Sequence, residues 1–340
     1  MLPEAVPEFA PTGWIANRHL QSCLPSSPFR RRLLRRKAVS IVAVSRDLVL
    51  DCGAGVRLHS WYAPQPRDAA APPRGLVVLI HGWEGAGDSS YMLSSAIRMY
   101  AAGWDVVRLH LRDHGPSHHL NEDLFHSNRL PEVVGAVARL AELFPELPLC
   151  LAGFSLGGNF ALRVAARADA VGIPLARVMA VCPVLDPAST LDAMEDGPGL
   201  YQRYFMAKWR RSLDTKARLF PQRYSFGDLR RFRSLRAMTD FVVRDFSEYD
   251  DLATYLAGYA IVGDVLAPIR VPTLLVAAAD DPVIPARDLP RLARPASLRV
   301  LETERGGHCG FLPSFGAMSW IDEQMLRWFE PAATRPARHS

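Results

Sequence analysis

Short apolar runs alternate with amphipathic segments along most of this 340-residue chain. Runs such as GLVVLIHG (75–82), WDVVRLHL (104–111) and LPLCLAGFS (147–155) are typical of strands buried on both faces. Between them, segments such as RLPEVVGAVARLAELF (129–144) carry apolar residues at helical spacing. Strands that alternate with helices form parallel sheets covered on both faces. The sequence therefore predicts an α/β fold with a mostly parallel central sheet.

Three regions follow from this pattern: an N-terminal arm (1–39), a main domain (40–330) and a tail (331–340). The main domain begins with a predicted strand pair, SIVAVSRDLVL (40–50) and GVRLHSWYAP (55–64). Residues 187–269 break the alternation with aromatic and basic helix-like segments, including GLYQRYFMAKWRR and DLATYLAGYAIVGDVL. We interpret this insertion as a helical lid over the strand ends, where open α/β sheets bind ligands.

Composition narrows the class of protein. Hydrophobic residues make up 49% of the chain and charged residues 22%, as in ordinary globular proteins. No uncharged apolar run approaches the ~18 residues of a membrane span, and the first residues, MLPEAVPEFAP, do not resemble a secretory signal. The five cysteines are scattered without a Cys-x-x-Cys pair, which fits a reducing compartment. We expect cytoplasmic localisation.

The formal net charge of +5 has a local origin in the arm. Its source is the segment RRRLLRRK, with the cations Arg30, Arg31, Arg32, Arg35, Arg36 and Lys37. Outside it the formal charges nearly cancel, so the chain as a whole is not a basic nucleic-acid binder, and no nucleic-acid partner is expected. The segment is either a solvated stretch without function or a weak contact for anionic lipid headgroups, at ~1 kcal/mol per cation.

The motif most informative about chemistry is LAGFSLGGNF (151–160). Ser155 follows a predicted strand and precedes a predicted helix, in the pattern Gly-x-Ser-x-Gly. A tight turn of this kind exposes the serine hydroxyl, and its glycines avoid collisions that side chains would cause. The N-terminus of the next helix directs free N–H groups to the same place. Ser155 is therefore the candidate nucleophile.

A serine nucleophile needs a base and an acid that orients the base. His308, in ERGGHCGF directly after the last predicted strand, is the candidate base. Asp280 and Asp281 both follow the preceding strand, but adjacent side chains in extended chain point in opposite directions, so only one can face His308. Proline disfavours helical backbone in the residue before it, and we therefore favour Asp281, which precedes Pro282.

The expected oxyanion donors are the backbone N–H groups of Leu156, after the nucleophile, and of Trp83, in the loop HGWEGAG. Side chains expected to line the substrate pocket are His81, Tyr201, Phe205 and Trp209. A histidine-rich loop also carries candidate metal ligands, namely His110, His114, His118, His119 and His126. These residues either bind a divalent metal or shape the loop. Serine hydrolysis needs no metal, and we predict neither a metal nor a cofactor.

These motifs, together with FAPTGWIANRHLQS (9–22), LIHGWEGAGDSSYM (79–92) and VPTLLVAAADDPVIP (271–285), resemble the α/β-hydrolase superfamily and its YheT-like branch. The resemblance implies the α/β-hydrolase fold, a triad of Ser155, Asp281 and His308, and action on carboxylic esters. In the acid loop of this superfamily, the aspartate precedes the position that Pro282 holds here. One loop departs from the pattern, because HLRDHGPSHHL stands where many relatives have Asn-x-Arg-Gly.

The sequence therefore favours serine-dependent hydrolysis of a small-molecule carboxylic ester, with a medium-chain or lipid-like acyl group. Transfer of the acyl group to an alcohol would use the same residues and remains an alternative. A non-catalytic binding protein on a hydrolase scaffold is a second alternative, although such a scaffold has no need of all three residues.

Overall fold

The computed structural model describes residues 9–67, 72–315 and 318–333. Within these ranges the strands form one sheet in the order β1-β2-β4-β3-β5-β6-β7-β8. Strand β2 pairs antiparallel with β1 and β4, and all other pairs are parallel. The predicted mostly parallel sheet is thus confirmed. The strands are β1 (Arg46–Asp51), β2 (Arg57–Ala63), β3 (Leu76–Ile80), β4 (Asp105–Leu109), β5 (Leu149–Phe154), β6 (Leu175–Val181), β7 (Thr273–Ala278) and β8 (Leu298–Thr303).

Helices cover both faces of the sheet, because the central strands bury both rows of side chains. Leu76, Val78 and Ile80 of β3 face one apolar cluster, and Val77 and Leu79 face the other. The α-helices are α1 (Arg18–Cys23), α2 (Pro28–Lys37), α3 (Val39–Val44), α4 (Ser90–Ala101), α5 (Leu130–Leu143), α6 (Leu156–Ala168), α7 (Pro187–Asp196), α8 (Gly199–Leu219), α9 (Leu235–Phe246), α10 (Leu252–Ala257) and α11 (Trp320–Ala333). Helices α5 and α6 pack on one face, and α4 and α11 on the other. Short 3-10 helices span Gly13–Ala16, Leu24–Ser26, Leu229–Arg231, Asp264–Leu266 and Ala286–Arg291.

The predicted first strand is wrong in its first half. Residues Val39–Val44 form α3, and β1 begins only at Arg46. Ala38 and Ile41 are buried three positions apart, while Val39 and Val42 face solvent. That spacing is helical, so packing of Ile41 into the core overrides the strand preference of a valine-rich segment. Packing of a few buried side chains therefore decides the local structure here.

Residues 187–269, the predicted lid, form helices α7 to α10 between β6 and β7. The segment DLATYLAGYAIVGDVL is helical only in its first part, since α10 ends at Ala257. Gly263 then adopts a left-handed conformation with φ of 70°. The chain continues from Gly263 as the short 3-10 helix Asp264–Leu266. That these helices act as a lid stays a prediction, as do the predicted domain boundaries.

The N-terminal arm is folded onto the main domain over its described part. In α2, Arg30 is buried and Leu34 packs inside, so the interpretation of the whole basic segment as solvated is wrong for Arg30. The other five cations are exposed. Contact of this helix with anionic lipid stays a prediction. Residues 1–8 of the arm and 334–340 of the predicted tail lie outside the described residues, and residues 331–333 complete α11.

Among the described helices, none combines the length and the apolar character needed to cross a bilayer. Cytoplasmic localisation stays a prediction.

Candidate active site

Ser155 occupies the turn between β5, which ends at Phe154, and α6, which begins at Leu156. Its backbone has φ of 54° and ψ of −119°, a region that residues with a side chain rarely adopt. Hydrogen bonds hold this conformation: the Ser155 N–H donates to the Val181 carbonyl at 2.9 Å, and the Ser155 carbonyl accepts from the Asn159 N–H at 3.0 Å. The hydroxyl is consequently presented beyond the carboxyl end of the sheet.

Two glycines make this turn sterically feasible. A Cβ at Gly153 would lie 2.1 Å from the Gly157 carbonyl oxygen, and a Cβ at Gly157 would lie 2.3 Å from the Ile80 carbonyl oxygen. Both distances are far below van der Waals contact, and both obstacles are backbone atoms that cannot rotate away. The glycines at these two motif positions are therefore required by close backbone packing.

The structure brings Ser155, His308 and Asp281 together in one hydrogen-bonded line. His308 Nε2 lies 3.0 Å from Ser155 Oγ, and His308 Nδ1 lies 2.9 Å from Asp281 Oδ2. The carboxylate can only accept, so in the neutral imidazole Nδ1 carries the proton and Nε2 presents its lone pair to the serine hydroxyl. This arrangement can accept the hydroxyl proton when Ser155 attacks an electrophile.

The two adjacent aspartates have separate partners, in agreement with the expectation that only one faces the histidine. Asp281 Oδ1 accepts from the N–H groups of Val283 and Ile284, at 2.8 and 3.0 Å, which fixes the carboxylate that faces His308. Asp280 Oδ1 instead accepts from the Gly307 N–H at 2.9 Å. Asp280 therefore holds the loop that carries His308, and Asp281 contacts the imidazole itself.

The ionisation of His308 predicts how activity should depend on pH. Burial lowers the pKa of the imidazole, but the Asp281 carboxylate and neighbouring Cys309 raise it, with a net rise to about 9. A general base must be unprotonated, so we expect kcat/KM for ester hydrolysis to increase with pH and to level off above about pH 9. In Asp281→Asn the inflection of the pH profile should move to lower pH. An inflection that stays in place would show that Asp281 does not act on His308.

The loop HGWEGAG (81–87), called the oxyanion loop below, lies directly against Ser155. A Cβ added at Gly82 would lie 3.1 Å from Ser155 Cβ, and the Gly82 N–H donates to Tyr91 Oη at 3.0 Å. No hydrogen-bond partner of the Trp83 or Leu156 N–H lies within the described part of the chain. Both donors are thus available to a ligand, and their role in an oxyanion hole stays a prediction.

Two residues of the histidine-rich loop hold the oxyanion loop in place. His110 Nε2 accepts from the Gly87 N–H at 2.9 Å, so its Nδ1–H faces His59 Nδ1 at 3.0 Å. His114 Nε2 accepts from the Glu84 N–H at 3.1 Å, and its Nδ1–H donates to the Arg112 carbonyl at 2.6 Å. Burial lowers the pKa of both imidazoles, to about 3 for His110, so both are neutral.

Because both nitrogens of each ring are engaged, these two histidines favour the loop-shaping interpretation over the metal interpretation. Among the described residues, Cys182, His308 and Cys309 form the group of ligand atoms close enough to share an ion, within 4.8 Å of one another. The nitrogens of His308 already face Ser155 and Asp281. This group therefore gives no independent support for a metal site.

The same loop is fastened to α8 by a buried ammonium group. Lys216 Nζ donates to Asp113 Oδ1 at 2.8 Å, to the Asn121 carbonyl at 2.6 Å and to the Asp123 carbonyl at 3.1 Å. The Lys216 side chain is only 1% exposed. Burial lowers the pKa of Lys216, while the charge of Asp113 raises it. The lysine thus links α8 to the loop that supports the oxyanion loop.

Removing this ammonium group should cost stability. We expect Lys216→Met to lower the free energy of unfolding by about 3–5 kcal/mol, because the Asp113 carboxylate would stay buried without its countercharge. Urea denaturation measures the change. Arg218→Met, on an exposed position of the same helix, is the control and should change stability by less than about 0.5 kcal/mol. Equal stabilities of the two variants would contradict a structural role for the buried pair.

Two cavities meet at Ser155. The first has a volume of about 300 Å³, and its walls come from the N-terminal arm, the oxyanion loop and α8. The second, of about 100 Å³, lies among α7, α8, α9 and α10. Of the predicted pocket residues, Tyr201 lines the first cavity, Trp209 the second and Phe205 both.

His81 departs from the prediction. It is fully buried and lines neither cavity. Its Nε2 accepts from the Leu111 N–H at 3.1 Å and its Nδ1–H donates to the Gly82 carbonyl at 2.8 Å. Both nitrogens are therefore occupied by backbone groups, and His81 supports the oxyanion loop from beneath instead of contacting substrate.

Sequence reasoning missed that the N-terminal arm helps to hold the loop that carries His308. Ser22 Oγ accepts from the His308 N–H at 2.9 Å. Gln21, fully buried, donates to the Leu312 carbonyl at 2.9 Å and accepts from the Leu312 N–H at 2.8 Å. These contacts hold the loop that carries His308 from outside the sheet. The motif FAPTGWIANRHLQS contains both residues, but no local pattern indicated their partners.

Comparison with known proteins agrees with this fold. Residues 75–315 match the family model described as the alpha/beta hydrolase fold, and the chain therefore belongs to the α/β-hydrolase fold family. It is 26% identical to a putative esterase, YheT, of Escherichia coli over 94% of this chain and 92% of the relative. It is 25% identical to the putative esterase slr0264 of Synechocystis, over 83% of this chain and 84% of that relative. These similarities place it in the YheT-like branch, among esterase-like hydrolases.

A solved structure supports the fold alone. The esterase Pf2001 of Pyrococcus furiosus superposes with a TM-score of 0.54 at 14% identity, covering 84% of this chain and 90% of that chain.

Proposed function

We propose that this protein is a serine esterase that hydrolyses carboxylic esters with medium-chain acyl groups. The observation that carries the proposal is the hydrogen-bonded line from Asp281 through His308 to Ser155, with Ser155 at the junction of two cavities. The strained turn at Ser155 and the available N–H groups of Trp83 and Leu156 support it.

In the proposed reaction, Ser155 Oγ attacks the acyl carbon while its proton passes to His308 Nε2. The N–H groups of Trp83 and Leu156 stabilise the oxyanion, and Asp281 stabilises the imidazolium. The tetrahedral intermediate collapses as His308 gives the proton to the leaving alcohol oxygen, which leaves an acyl-enzyme on Ser155. Water, deprotonated by His308, then attacks the acyl carbon. The acid leaves and Ser155 regains its proton.

The second cavity is the proposed acyl site. Its walls carry apolar side chains from the predicted lid, including Leu191, Met194, Leu235 and Leu256. Phe205 and Trp209 of α8 pack against Trp83 of the oxyanion loop, with ring centroids 5.4 and 5.2 Å away. An acyl chain in this cavity would be removed from water, at about 0.8 kcal/mol per buried CH₂ group.

A series of 4-nitrophenyl esters tests the proposal. From the acetyl to about the hexanoyl or decanoyl ester, we expect kcat/KM to rise, by up to about fourfold per CH₂ group that enters the second cavity. The release of 4-nitrophenol at concentrations where the ester is monomeric measures this profile. Absence of turnover with every ester would contradict esterase function, whereas turnover with a flat profile would contradict the acyl site only.

A further inference from the structure

The two cavities that meet at Ser155 differ in charge. The first cavity has the cations Arg31 and Lys208 in its wall, together with His308, and no Asp or Glu among the lining residues that the structure describes. Within the described part of the chain, no Lys, Arg, His, Asp or Glu lines the second cavity. Both include Ser155, Trp83 and Phe205. A substrate bound across Ser155 would therefore meet a cationic wall on one side and an uncharged wall on the other.

The position of His308 decides which part of an ester enters each cavity, if the proposed function holds. His308 lines the first cavity and not the second. Its Nε2 must deliver a proton to the oxygen of the leaving alcohol, so that oxygen must lie on the side of the first cavity. The acyl chain then extends into the second cavity. The cationic wall consequently faces the alcohol part of the ester.

Neither cation of the first cavity forms an ion pair with a carboxylate of the described residues. Within the described ranges, no carboxylate oxygen lies within 4 Å of Arg31 or Lys208, in contrast to Arg35, which pairs with Asp88 at 3.2 Å. Lys208 Nζ donates to the Glu84 carbonyl oxygen, which positions the ammonium group beside the oxyanion loop. Burial raises the pKa of the Glu84 carboxyl to about 8 although the Lys208 charge lowers it, so this neighbour is mostly uncharged at pH 7, the pH at which the esters below are compared.

We propose that the first cavity binds an anionic group, a phosphate or a carboxylate, carried on the alcohol part of the ester. An arginine and a lysine in one wall match this chemistry, since guanidinium and ammonium groups form charge-assisted hydrogen bonds to both anions. The inference rests on the proposed function and adds to it the class of leaving group. The preferred substrates are amphiphilic esters with an uncharged acyl chain and an acidic alcohol.

Two pairs of matched hexanoyl esters test this inference. In the first pair, 4-nitrophenyl hexanoate is compared with its 3-carboxy derivative. In the second, 1-hexanoylglycerol is compared with 1-hexanoylglycerol 3-phosphate. In wild type, we expect kcat/KM for the anionic member to exceed that for the neutral member by about tenfold or more in at least one pair. The first pair detects a carboxylate site and the second a phosphate site.

The variant Arg31→Gln with Lys208→Gln should reduce this ratio to near one. The control, Arg32→Gln with Arg211→Gln, removes the same charge from exposed positions outside both cavities and should keep the wild-type ratio. The single variant Arg31→Gln changes an exposed side chain and should lower the ratio in part, which covers the case of a double variant that does not fold.

Three outcomes contradict the inference. The ratio of kcat/KM for the anionic ester to that for the neutral ester is near one for wild type in both pairs, the control variant lowers this ratio as much as the double variant does, or Arg31→Gln leaves the ratio unchanged. If the control variant lowers the ratio equally, the preference for anionic esters comes from general surface charge. If wild type hydrolyses none of the four esters, the proposed function itself fails, and this result is distinct from hydrolysis without a preference for anions.

Discussion

Replacement of Ser155 by Ala should lower kcat for ester hydrolysis by about 10⁶-fold, the loss expected when a serine hydrolase loses its nucleophile. The reason is the position of Ser155 Oγ, 3.0 Å from His308 Nε2 on a turn that presents the hydroxyl at both cavities. A fluorophosphonate probe, which reacts with activated serines, should label wild type and not the variant. Steady-state kinetics and in-gel detection of the probe measure the two effects.

Two controls make this result specific. Ser40→Ala removes an exposed hydroxyl from α3 and should leave labelling and turnover unchanged. The thermal midpoint of Ser155→Ala should stay close to that of wild type, because no core contact is lost. Labelling that survives in a folded Ser155→Ala protein would remove Ser155 from the mechanism.

Asp281→Asn should lower kcat by up to ~10⁴-fold while the fold is retained. An asparagine amide directed at His308 Nδ1 favours the tautomer with its proton on Nε2, and this tautomer cannot accept the Ser155 proton. It also removes the negative charge that stabilises the imidazolium during the reaction. The comparison of kcat for wild type and variant, both purified and checked by thermal unfolding, measures the effect.

The adjacent aspartate supplies a matched control. Asp280 bonds to the Gly307 N–H and not to the imidazole, so Asp280→Asn should mainly reduce stability, by about 1 kcal/mol for one weakened hydrogen bond. Its kcat should stay within a few-fold of the wild-type value. A collapse of kcat in Asp280→Asn, with Asp281→Asn nearly normal, would reverse the assignment of the two residues.

The sequence predicted those features of the fold that depend on local patterns. Continuous apolar runs such as LVVLI correspond to buried strands because both faces of a parallel sheet are covered. The strand-turn-helix position of Ser155 was predicted for the same reason, since its glycines and flanking patterns are local. Asp280 and Asp281 do have different partners, as predicted, but they lie in the turn after β7 and not in extended chain, so the alternation of side chains in a strand is not the cause.

The features that the sequence did not predict depend on contacts between distant segments. The valine-rich segment before β1 forms a helix because Ile41 packs into the core, which no local propensity reveals. His81 supports backbone groups instead of substrate because Leu111 and Gly82 occupy its nitrogens. Its place in a motif beside the active site gave no indication of this. The anchoring of the histidine-rich loop by Lys216 likewise joins two segments that the sequence does not relate.

The hydrogen bond between Ser22 and the His308 N–H joins residues 286 positions apart, so it closes a loop that contains most of the chain. Closure of a long flexible loop has a high entropic cost, and contacts of this kind form late unless the intervening chain is already folded. We therefore expect the sheet to form before the first helix docks beside the base. Competence for hydrolysis would then be acquired in the last stage of folding, when α1 meets the loop that carries His308.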